Sequence, residues 1–147
     1  VKMALSLDDP VFRDFAFYAT ASVAKMIDMS FLTVYRRLTR GVFANPEDFP
    51  KGAPKKPVYD DALVERARRN HLNDIENILP FLLVGSIYVL TKPDPKTALW
   101  HFRVFFFSRV LHTISYQTGV QPARGLCYLA GMGVTFSMMY QVFKATY

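Results

Sequence analysis

A chain of 147 residues is long enough for one domain, and 51% hydrophobic content with thirteen Phe and eight Tyr excludes a disordered polymer. The net charge of +6 is uneven, with nine of the eighteen Lys and Arg lying between Arg36 and Arg69, so it is read as membrane topology and no nucleic-acid partner is expected. Cys127 is the single cysteine, which excludes an internal disulfide and a Cys-based metal site, and His71, His101 and His112 have no paired spacing that would add one.

The mean hydropathy of +0.11 averages a basic central segment with apolar runs of membrane-spanning length. Asp8-Asp9-Pro10 supplies an N-cap and a first-turn Pro, from which a first span over 11–35 is predicted. That stretch is too long, and too acidic at its flank, for a cleavable signal peptide. The start at Val1 is taken to mean that an initiator Met has been removed. Lys25 and Asp28 fall three apart on one face near the middle of this span. Isolated charges there cost about 2.5–3.5 kcal/mol each, so the two are expected to face protein and to pair with each other.

Residues 36–61 carry Gly41, Pro46, Pro50, Gly52, Pro54 and Pro57 with lysines between them, a composition that predicts an irregular loop. A second span is predicted over 62–90, kinked at Pro80. Lys92-Pro93-Asp94-Pro95-Lys96 is too short a turn to cross a membrane, so the third span, 97–116, is antiparallel to the second. A fourth, 122–144, follows a short turn and opens at Pro122. One all-α domain of four membrane-spanning helices is the expected fold. Both termini then lie on one side, and the basic loop 36–61 lies on the cytosolic side.

The second span begins as a charge run, Val64 to Glu76, with no Gly or Pro. Arg66, Arg69, Asn73 and Glu76 lie at spacings of three, four and three, within an arc of about 80° on a helix. Two guanidiniums, an amide and a carboxylate in one stripe can grip a small zwitterion that carries carboxylates and an ammonium. The alternative is a solvated helix end with local pairs such as Glu65 with Arg68. Arg109, His112 and Tyr116 form a second stripe on the third span, and Arg124 and Tyr128 lie one turn apart at the start of the fourth. The topology brings all three sets to one membrane face.

Several stretches, in this order, carry a resemblance: Arg37-Leu38-Thr39-Arg40, Phe43-Ala44-Asn45-Pro46-Glu47-Asp48, Val64-Glu65-Arg66, and His71 through Asn77 to Pro80-Phe81. Pro93-Asp94-Pro95, His101-Phe102-Arg103, Arg109, His112-Thr113, and Gln121-Pro122 with Arg124 complete it. The chain resembles the MAPEG family of membrane glutathione enzymes over nearly its whole length, above all its glutathione transferase branch. The resemblance implies an integral membrane four-helix bundle assembled as a homotrimer, with glutathione bound between subunits as co-substrate. It implies residence in the endoplasmic reticulum membrane, with the mitochondrial outer membrane as a second location. Positions matching the family's glutathione contacts are Arg37, Arg69, Asn73, Glu76, His112, Tyr116, Arg124 and Tyr128. Members activated by thiol modification carry a Cys where Phe49 stands, so such activation is not expected. The prostaglandin E synthase branch has Arg at the place of Leu72 and Ser at that of Gly125, which argues against an isomerase.

A free thiol has a pKa of about 8.5, so little thiolate exists at neutral pH and an enzyme must add a positioned cation. Arg124, at a helix start, is the expected stabiliser of the sulfur anion, with Tyr128 and Tyr116 as hydrogen-bond donors to it. The thiolate would attack apolar electrophiles from the bilayer or reduce lipid hydroperoxides, without a protein nucleophile. The rivals are a glutathione-dependent prostanoid isomerase, a non-catalytic lipid-binding protein of the same fold, and an unrelated small membrane module such as a channel. Glutathione binding separates the last two from the enzymes.

Overall fold

The computed structural model describes residues 5–147, so the expectation about Val1 lies outside it. The described residues form four α-helices: α1 (Pro10–Arg40), α2 (Ala62–Leu90), α3 (Pro95–Thr118) and α4 (Ala123–Thr146), with a short 3₁₀ turn at Pro46–Asp48 between the first two. The described residues contain no strand.

Local chemistry sets the helix ends. Asp9 accepts from the backbone N–H of Val11 and Phe12, Asp61 from those of Leu63 and Val64, and Asp94 from that of Thr97. Gly41 and Gly119 close α1 and α3 with φ of 62° and 75°, a conformation other residues adopt at a cost. The helices therefore run past several expected ends: α1 continues to Arg40 instead of 35, and α3 covers Pro95–Thr118 instead of 97–116. Pro122 stands just before α4, not inside it. α2 is continuous through Pro80, which has no N–H to offer the Glu76 carbonyl.

Neighbours in sequence pack antiparallel, and the register between them is regular. Phe15 packs tilted against Phe81 and Phe102, and Phe81 lies flat on Phe105 with ring centroids 3.8 Å apart. Gly85 exists for this core, because a Cβ there would stand 2.4 Å from the Phe15 ring. One end of the bundle is thus an aromatic plug of Val11, Phe15, Phe81, Tyr88, Phe102 and Phe105.

Polarity is arranged the opposite way to a water-soluble bundle. Phe17, Phe31, Leu79, Leu83, Trp100, Phe107, Leu129 and Phe136 face outward, whereas Asn70, Asp74, Arg109 and His112 are buried. A lipid-facing shell around a polar interior accounts for both facts. α2 and α4 are each long and apolar enough to cross a membrane. α1 and α3 have the length, and the charges within them turn inward at Lys25 and Arg109.

Candidate functional site

Three rungs connect α2 to α3. Arg66 donates to the Tyr116 carbonyl at 3.2 Å, which places a cation on the C-terminal carbonyls of α3. Gly119 makes room for it, since a Cβ there would lie 3.1 Å from Arg66 Nη1. One turn deeper, the Thr113 hydroxyl faces Asn70 Oδ1 at 3.5 Å. Deeper still, Arg109 Nη2 donates to Asn73 Oδ1 at 2.7 Å and to Asp74 Oδ1 at 2.8 Å.

Asp74 is the hub of the lowest rung. Fully buried, it takes Arg109 on one oxygen and Lys25 of α1 on the other. This corrects the expected pairing of Lys25 with Asp28. The two do share a face of α1, but Asp28 is exposed, while the long lysine stem turns into the bundle where Asp74 offers a carboxylate shielded from solvent. Asp74 was not among the residues expected to matter. The available signal was the pair of mid-helix cations, Lys25 and Arg109, each needing an anion, with Asp74 on α2 as one carboxylate at a matching depth.

The second stripe forms as expected. Arg109 is 1% and His112 3% exposed, and the His112 and Tyr116 rings are 5.6 Å apart. Arg124 comes onto this stripe from α4, its guanidinium carbon 4.9 Å from the centre of the Tyr116 ring. With the Gln121 amide oriented to its donors, its oxygen accepts from Arg124 Nη2 at 2.7 Å and Nε at 3.0 Å. No side chain caps the first turn of α4; the Arg124 N–H donates to the Val120 carbonyl at 3.3 Å, and the N–H groups of Ala123 and Gly125 remain open beside the Arg124 side chain.

Asn73, His112, Tyr116 and Arg124 are therefore gathered at one end of the bundle. The first stripe is split by the rotation of α2: Arg66 and Asn73 turn toward α3, while Arg69 and Glu76 are exposed on the outer edge. Glu65 pairs with Arg68 at 2.7 Å, the local pair anticipated for a solvated helix end. Tyr128 is 37% exposed on α4. Arg37 is half-buried near the end of α1. Nitrogens of Arg36, Arg37, Arg109, His112 and Gln117 are buried without a hydrogen-bond partner among the described residues, an unusual concentration of unmatched polar atoms. A groove of about 350 Å³ between α1 and α2, bounded by Thr33, Arg68, His71 and Leu72, holds none of the candidate residues. The described residues contain no cluster that could hold a metal ion.

Outside the spans, the neck of the loop is a charge pair, with Arg40 Nε 2.6 Å from Asp61 Oδ2. Hydrogen bonds from the Val64 N–H and the Arg40 side chain hold the Asp61 carboxyl below its usual range.

Comparison with known proteins shows the family of the chain. Residues 15–144 match the model of the MAPEG family. Microsomal glutathione S-transferase 1 of Homo sapiens is 51% identical over 150 residues, covering 99% of this chain and 97% of the relative. The protein of that name from Mus musculus is 50% identical over 144 residues, covering 95% and 93%. Prostaglandin E synthase of Equus caballus is 39% identical over 129 residues, covering 87% and 84%. A lipid-facing bundle with a polar interior, matched end to end by such relatives, is a member of the MAPEG family.

Proposed function

We propose that this chain is a membrane-bound glutathione transferase that holds the glutathione thiol as a thiolate and conjugates it to apolar electrophiles from the bilayer. The observation that carries the reading is Arg124, seated on Tyr116 at the open N-terminus of α4, beside His112 and the rungs from α2. A guanidinium and free backbone N–H groups together favour a sulfur anion. Tyr128, one turn along α4 and exposed, donates a hydrogen bond to it. Reduction of lipid hydroperoxides uses the same thiolate.

The four helices span the endoplasmic reticulum membrane as one domain, with the loop between α1 and α2 in the cytosol and glutathione entering from that side. The protein works as a homotrimer. The exposed polar groups of Arg69, Glu76 and Tyr128, and the buried unmatched Nη1 of Arg37, support a site completed between neighbouring copies. Arg37, Arg69, Asn73 and Glu76 bind the charged ends of the peptide, and His112 and Tyr116 line its middle. Named relatives that are transferases by title support the same activity here.

An isomerase acting on prostanoid endoperoxides is the second reading, favoured by the likeness to prostaglandin E synthase. Against it, Leu72 projects from α2 with no charge to offer and Gly125 has no hydroxyl. A conjugation assay with glutathione and a chlorodinitrobenzene-type acceptor tests the first reading. Turnover above the uncatalysed rate is expected, and none, in protein that remains folded, would remove it.

A further inference from the structure

Asn73 is a candidate ligand contact whose side chain is also held from behind, by a buried cation. Arg109 is 1% exposed, and its Nη2 lies 2.7 Å from the Asn73 amide and 2.8 Å from Asp74. A guanidinium has five N–H donors and no acceptor, so the atom of Asn73 that faces it must be the oxygen. The amide orientation is therefore dictated by chemistry. The NH₂ group is left pointing away from Arg109, and it makes no hydrogen bond within the described chain. With its oxygen turned to Arg109, Asn73 presents its N–H donors to a ligand.

Arg109 is fixed in turn. Its Asp74 partner is buried and engaged on its other oxygen by Lys25, which ties α1, α2 and α3 at one level. Swinging Arg109 away would leave Asp74 Oδ1 buried without a hydrogen-bond donor. The same contacts that neutralise the interior thus set the Asn73 rotamer.

We propose that Arg109, anchored on Asp74, is a positioning residue for glutathione binding: it holds the Asn73 amide oxygen so that the NH₂ group meets an acceptor of the peptide, a carboxylate or carbonyl oxygen. This rests on the reading of Asn73 as a glutathione contact. Arg109 touches no reacting atom, so its effect falls on glutathione affinity and not on the chemical step.

The test is a double-mutant cycle on the full chain in detergent, following kcat and the KM for glutathione. Arg109→Met leaves Lys25 and Asp74 as a one-to-one pair, a neutral cluster where the wild type carries one net positive charge. Arg109→Met and Asn73→Ala should each raise KM about tenfold with kcat within about twofold, the loss expected for one hydrogen bond to a charged acceptor. The double variant should be no worse than Asn73→Ala, because both changes remove the same contact. Multiplied effects, a fall in kcat, or an unchanged KM in Arg109→Met would overturn the proposal. Should Arg109→Met fail to fold, Arg109→Lys keeps the cation without the fork that reaches both partners. It should raise KM similarly, and a KM at the wild-type value would overturn the proposal.

Asn73→Asp keeps the oxygen that Arg109 needs and removes the donors. Its KM should match or exceed that of Asn73→Ala, and wild-type affinity would overturn the donor assignment. Failure of the site reading looks different. In that case Asn73→Ala leaves KM unchanged, and the ligand-free ¹⁵N resonance of the Asn73 amide decides the holding by itself. A shift in Arg109→Met supports it, and an unmoved resonance ends it.

Discussion

In the proposed mechanism Arg124 is the side chain that carries the chemistry. Its guanidinium lies over Tyr116 and is steadied by Gln121 at the open end of α4. Removing one preorganised donor to an anion costs about 2.7–4 kcal/mol, or roughly a hundred- to a thousandfold in rate. Arg124→Ala should therefore abolish the ultraviolet difference band of bound thiolate while leaving glutathione affinity largely in place; an intact band would exclude Arg124 from the mechanism. Asp74 concentrates the stability in the same way. Taking away a buried carboxylate that two cations share leaves both uncompensated, at a cost of about 3–5 kcal/mol. Asp74→Ala should lower the unfolding temperature in detergent far more than Asp28→Ala, whose carboxylate is exposed. Equal melting of the two variants would contradict the assignment of Lys25 to Asp74.

Single contacts decide how closely the helices approach. Phe15 presses on Gly85, where a Cβ would sit 2.4 Å from the ring. Gly85→Ala should cost about 1–3 kcal/mol by forcing α1 away from α2, seen as a lower midpoint in chemical unfolding, whereas Gly133→Ala, with open space around it, should not. The junction of α1 with α2 depends on pH. Folding depresses the Asp61 carboxyl, since Arg40 and the first N–H groups of α2 favour its charged form. A depressed carboxyl contributes stability that is complete above its unfolded pKa of 3.8 and disappears as pH falls through the folded value. Hydrogen exchange in the first turn of α2 should accelerate below that pH in the wild type, and Asp61→Asn should show the faster rate already at pH 7. A wild-type rate independent of acid would show that the cap makes no use of the charge.

At the scale of the molecule, the apolar exterior and charged interior make the bilayer part of the fold. The described irregular stretch from Gly41 to Asp61 joins α1 and α2, with lysines exposed at Lys51, Lys55 and Lys56. Positive charge retains such a loop in the cytosol. Protease added to intact microsomes should cut between Lys51 and Lys56 and spare the short α2–α3 turn at Lys92, which lies at the opposite end of the bundle. Cleavage at Lys92 with protection of the loop would invert the proposed orientation.

Helix number, order and most of the ends follow from the sequence alone, because the groups that set them lie within a few residues of one another. Asp9-Pro10, Asp61, Asp94-Pro95, Gly41 and Gly119 each satisfy or release backbone groups of their own helix. The overshoot of α1 to Arg40 is the same rule read too cautiously, since Gly41 and not the first arginine ends the helix. The stripe of Arg109, His112 and Tyr116 was equally legible, because a period of 3.6 needs no partner to define a face. Tertiary structure alone decided the rotation of α2 about its axis and its register against α1 and α3. That rotation separates Asn73 from Arg69 and Glu76, although all three share one stripe, and it turns Asp74 inward. It also takes Lys25 from a neighbour three residues away to one on another helix. Spacing within a helix fixes angles around its own axis; which buried cation meets which carboxylate depends on how three axes are set against each other, and that is settled only when the core packs.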